Sequence, residues 1–170
     1  IYLSFTSDVK VGVTRKSQVP TRWIDQGAIE AIEIAELPNR YLAGICEIEL
    51  KKYFKDKTNW RTMLTTNKSN IDLLSKKNEC YSILPEEAKN YFLSKSKTLK
   101  INYPISNSII TPKSLNIKKM KNFSGKLIGI KGQYLIFEDS TVFNVRSNEG
   151  LVVNIKICLL YTSPSPRDQL

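Results

Sequence analysis

The sequence predicts an α+β protein: a three-stranded antiparallel sheet flanked by helices, then a small, mainly antiparallel β module. Three observations point there. Residues 2–5 and 9–14 are β-prone runs on either side of a short polar break at Ser7-Asp8, the pattern of a hairpin. After Pro38-Asn39 the apolar positions Leu42, Ile45, Cys46, Leu50 and Tyr53 recur at helical spacing. From Leu99 onward the chain turns to β-branched runs punctuated by Gly, Asp-Ser and Asn-Glu-Gly breaks. The division this implies is residues 1–97 and 98–157.

Each element has its own reason. Gly12 lies inside the second run, where a missing side chain means that something must come close. Pro20 suits a helix start, because its absent N–H would have no partner there, and Gly27 can end that helix. Residues 28–37 permit a helix by propensity, yet the short span before Pro38 and its isoleucines favour a third strand. The helix over 40–54 gathers Lys51, Lys52 and Lys55 at its C-terminal end, where the dipole favours cations. Thr58 is placed to cap a short helix through Leu64, residues 65–70 read as a loop, and helices follow over 71–80 and 85–95. Residues 100–105 and 108–111 are expected as edge strands, each near a proline. Residues 126–131, 133–137, 141–146 and 151–157 form the expected meander, a small barrel or curled sheet.

The net charge is +10, an excess that favours polyanions, nucleic acid first, while an AT-rich coding composition gives the same Lys- and Asn-rich texture. There is no His, so acid–base work would fall to Tyr, Lys or carboxylates. Cys46 and Cys80 lack the spacing of a zinc site or a disulfide framework and read as small buried apolar residues. No apolar run reaches the ~18 residues of a membrane helix, so a cytoplasmic setting without a membrane partner is expected. Ile1 begins within a strand and no Met precedes it, which suggests missing upstream sequence. Residues 158–170 resemble a translated transposase sequencing adapter and are set aside from fold reasoning.

Tyr2, Lys10-Val11-Gly12-Val13-Thr14 and Pro20-Thr21-Arg22 resemble the opening of the GIY-YIG nuclease superfamily, in the branch whose second motif reads Lys-Ile-Gly. More closely, Lys10 to Thr14, Arg22 to Ala28, Lys57-Thr58-Asn59-Trp60-Arg61 and Gly129 to Leu135 resemble a bacterial domain of unknown function, DUF2797, over nearly the whole chain. The superfamily resemblance covers residues 1 to about 66 and implies a metal-dependent nucleic-acid phosphodiesterase. It assigns Glu47 to one Mg²⁺, Arg22 to the phosphate, Tyr2 to the water's proton, and Asn59 to shaping the site. Tyr2 would then need a phenol well below its usual pKa of about 10. Lys10 stands where many such enzymes carry a second tyrosine; it can contact phosphate as a point charge, or mark a branch that binds without cutting. Arg15, Lys16, Trp23 and Arg61 are the further candidates for contact with nucleic acid, by charge or stacking. By helical angle Glu49, not Glu47, lies nearer the apolar face, so only the motif selects Glu47. The DUF2797 resemblance also implies a cysteine-rich, zinc-binding segment upstream of Ile1. Rival readings are an inactive nucleic-acid-binding protein of the same fold, and an interaction module whose basic surface is compositional.

Overall fold

The early hairpin forms where the polar break places it. The computed structural model describes residues 1–55, 57–66, 68–69, 71–106 and 110–158. β1 (Tyr2–Phe5) pairs antiparallel with β2 (Val9–Gly12), and Asp8 Oδ1 accepts from the Val9 N–H at 2.8 Å to close the turn. The ambiguous stretch after Gly27 is a strand, β3 (Glu30–Glu33), antiparallel to the other side of β1. The expectation of three strands needs correcting. β4 (Leu99–Lys100) adds to β3, giving the order β2-β1-β3-β4. It covers backbone groups of β3 that an edge would leave unpaired, and Ile101 N–H continues the pairing to Ile29 O at 2.9 Å.

Strand alternation sends Leu3, Phe5, Val9, Val11 and Ile32 to one face. There they meet Leu42, Cys46 and Leu50 of α2 (Arg40–Lys51) and Leu73 and Cys80 of α4 (Leu73–Ile83) in the main core. Tyr2 and Ala31 take the opposite face, packed with Trp23 of α1 (Thr21–Asp25) and with Ala28. Both α1 and α2 are therefore fixed to the same sheet from opposite sides.

Helix ends depart from periodicity where tertiary pairing intervenes. α2 stops at Lys51 because the Leu50 carbonyl takes up the N–H groups of Tyr53 and Phe54 in a tight turn. α3 (Trp60–Thr65) is capped by Asn59 rather than Thr58, and α4 begins after an Asp72 cap. The helix expected over 85–95 is only α5 (Glu86–Lys89): Phe92 bridges to Ala35 and Leu93 N–H donates to Ile34 O at 2.8 Å, drawing the chain out along the sheet.

The second sheet joins β5 (Lys113–Ser114), β6 (Leu127–Lys131), β7 (Tyr134–Phe137) and β8 (Thr141–Asn144) in the order β5-β8-β7-β6. Its meander is antiparallel as expected, but β5 runs parallel to β8, so the sheet is mixed. Residues 151–157 form no strand and lie exposed. The strand expected over 100–105 reduces to β4; that over 108–111 falls partly outside the described residues, as does the tail from 159. Among the described residues no helix is long and apolar enough to cross a membrane.

This second half grips α1. Tyr103 Oη lies 3.1 Å from Ile24 O and 2.9 Å from Ala28 O, and donates to these carbonyls. Gly132, at φ 57°, brings the β6–β7 turn so close that a Cβ there would lie 2.9 Å from both Asp25 O and Gly27 N. Trp60 of α3 stacks on Tyr134 at 5.7 Å, and buried Lys131 donates to the Thr66 carbonyl at 2.6 Å.

Candidate functional site

β1 starts, and β2 and β3 finish, at one end of the first sheet, where Tyr2 stands opposite Gly12 and Glu33. With α1 on one face and α2 on the other, that end opens into a cleft of about 840 Å³. Tyr2, Arg22, Glu33, Arg40, Gly44 and Glu47 all line it.

Tyr2 is 2 % exposed, and its ring crosses Gly12, whose Cβ would lie 2.6 Å from the Tyr2 hydroxyl. The residue requiring the glycine is thus another residue of the same hairpin. Tyr2 Oη donates to Gln26 Oε1 at 3.0 Å. Burial pushes the phenol above its usual pKa, with Arg22 and Gln26 pulling it only partly back. The lowered pKa that a proton-abstracting Tyr2 requires is not the direction found. Arg22 is half-buried, and among the described residues it forms no ion pair with a carboxylate within 4.0 Å. Glu47, its side chain 29 % exposed, lies 3.3 Å from Lys51 Nζ one turn on. Glu49 pairs instead with Lys52 at 2.6 Å and keeps 37 % exposure, so the apolar face of α2 holds no buried acid there.

Arg15 and Lys16 also reach the cleft, Lys16 in an ion pair with Glu36 at 2.6 Å. The remaining sequence candidates lie elsewhere. Lys10 is 8 % exposed and donates to Thr58 Oγ1 at 3.0 Å; desolvation first, then Arg22, lowers it to about 8. Asn59 Oδ1 accepts from the N–H groups of Arg61 and Thr62 at 3.1 and 3.3 Å, so its side chain is engaged as a helix cap. Trp23 is 3 % exposed against Tyr2, at 5.8 Å between rings, and presents no open surface for a base. Arg61 lies 4.3 Å over Trp60, outside the cleft.

Among the described residues no group of three or more His, Cys, Asp or Glu is arranged to hold a metal ion. A hydrated Mg²⁺ held by one carboxylate together with substrate phosphate needs no such group, and Glu47 is chemically suited to that mode.

A family model described as a protein of unknown function (DUF2797) matches residues 1–153. The chain belongs to the DUF2797 family. No curated protein and no solved structure gives a match. In this DUF2797 chain, sequence reasoning missed Gln26, Glu33, Arg40 and Gly44 at the cleft or against Tyr2. Two of them carried a usable signal. Gln26 follows Arg22 by four positions, and Arg40 precedes Glu47 by seven, spacings that put residues on one helical face.

Proposed function

We propose that the cleft binds a phosphodiester of a nucleic acid, and that this DUF2797 chain is a metal-dependent phosphodiesterase of GIY-YIG-like type. One observation carries the reading: Tyr2 from β1, Arg22 from α1 and Glu47 from α2 open on the same cleft. Phosphodiester hydrolysis requires positive charge at the phosphoryl oxygens, an anchored water and an acceptor for that water's proton; Arg22 and Glu47 suit the first two tasks, and Glu33, a second carboxylate on the cleft wall, can take the proton. Arg22, with no carboxylate within 4.0 Å among the described residues, offers a planar fork of donors to a phosphate. Glu47 would hold Mg²⁺, which when bound supplies charge neutralisation at the phosphate. With its phenol protonated, Tyr2 donates to Gln26 and offers no base. That last point, with the Glu47–Lys51 pair, favours a second reading, in which the cleft binds the strand and does not cut it.

Labelled DNA and RNA, incubated with the protein in Mg²⁺ or EDTA, separate the two. Cleavage should require Mg²⁺ and fall by about 100-fold or more in Glu47→Ala, while Arg22→Ala should weaken binding as well. Cleavage that Glu47→Ala leaves unchanged would remove the site assignment. Binding lost in Arg22→Ala, with no cleavage by the parent chain, would establish the second reading.

A further inference from the structure

Of the chain's 7 glycines, the one in the cleft wall has no role in the packing of the described residues. Gly12, Gly27, Gly125, Gly129 and Gly132 each face an atom that a Cβ would meet at 2.9 Å or less, and Gly150 has φ 84°. Gly44 has neither reason: it lies inside α2, and among the described residues a Cβ there would meet nothing within 4 Å. Glycine is the least favourable helix-interior residue after proline, since it surrenders the most backbone entropy. Such a position leaves the α2 backbone open to a group from outside the fold.

Gly44 stands four positions after Arg40 and three before Glu47, on the helical face shared by both, and all three line the cleft. Resting on the reading of the cleft as a phosphodiester site, we infer that Gly44 seats one unpaired nucleotide against the α2 backbone, and that the substrate is single-stranded nucleic acid. Arg22 and Arg40 then hold the flanking phosphates; neither has a carboxylate within 4.0 Å among the described residues. A cleft of about 840 Å³ has the capacity of a pocket for a small organic ligand, enough for one or two nucleotides and too little for a duplex. A base reaching the helix backbone inside the cleft must already be out of a stacked duplex. Tyr41, three positions before Gly44 on α2 and 79 % exposed, offers a ring on which an adjoining base can stack. Ile48, seven positions on and 63 % exposed, extends that apolar edge.

The test is Gly44→Ala, read by thermal melting and by fluorescence anisotropy with short labelled DNA and RNA single strands and the corresponding duplexes. A methyl group here should raise the melting temperature, by about 2 °C, because alanine is the better helix former. The same methyl should weaken single-strand binding by about tenfold, as it occupies the nucleotide's seat. Tyr41→Ala should lower single-strand affinity without the gain in melting temperature. Comparing the DNA and RNA arms identifies which strand is preferred. The inference is overturned if Gly44→Ala binds single strands as the parent does, if it melts lower, or if duplexes bind as tightly as single strands. Failure of the parent chain to bind any strand would instead overturn the phosphodiester reading itself, and this inference with it.

Discussion

Lys10 leaves β2 on the face shared with Ser4 and finds a hydroxyl, Thr58 Oγ1, where a carboxylate would have balanced its charge. Arg22 is the charged group that acts on it, and repels it. Because its folded pKa of about 8 lies below the unfolded value, the unfolded chain binds more protons between the two. Stability from this group is therefore lowest below pH 8 and rises with pH above it. The shift corresponds to roughly 3 kcal/mol. Lys10→Met should stabilise the protein at pH 7, and its advantage should be smaller at pH 10 by about 2 kcal/mol or more, measured by urea unfolding of both proteins. An advantage equal at both pH values would show that the Lys10 ammonium is not desolvated. The sequence exposed Lys10 as a departure from a motif, and Gly12 as a point of close approach. It could not show that Tyr2 itself fills the space over Gly12, because that depends on the register of the hairpin.

Elements defined by local chemistry were the ones most legible in the sequence. The hairpin follows from its polar break, and α2 from its periodicity and the Asn39 side chain that accepts the Leu42 N–H at 2.8 Å. Elements whose ends depend on distant pairing were not: α5 ends where Phe92 meets Ala35, and 151–157 have no described strand beside them. Asn59 shows how one side chain can fit two readings. Motif spacing places it in the site, while the structure has it capping α3 away from the cleft. The two roles separate under substitution. Asn59→Ala should cost about 1 kcal/mol in stability, Asn59→Asp close to nothing because aspartate caps equally well, and neither should change the nucleic-acid binding proposed for the cleft, measured where both variants are fully folded. A loss of binding in Asn59→Asp, with stability intact, would return Asn59 to the site.

At the scale of the whole molecule, the two sheets share α1. The later chain supplies β4 to the first sheet and sends Tyr103 and the Gly132 turn against the end of α1, and α1 in turn carries Arg22 and Gln26 to Tyr2. None of this was legible in local pattern, since a glycine at a hairpin turn looks the same whether its Cα side faces solvent or another backbone. Gly132 and Gly150 form a natural comparison: both have positive φ, yet among the described residues a Cβ on Gly150 meets nothing within 4 Å and a Cβ on Gly132 meets backbone. Gly150→Ala should therefore bear only the conformational strain, about 1 kcal/mol, and Gly132→Ala a further 1–3 kcal/mol or so because α1 or the turn must move. The displacement should pass through Gln26 to the Tyr2 hydroxyl. In ring-labelled tyrosine NMR, with Tyr2→Phe to assign the resonance, the Tyr2 signal should shift in Gly132→Ala and hold its place in Gly150→Ala. Equal destabilisation by the two alanines, with Tyr2 unmoved in both, would mean that the second sheet does not position the cleft.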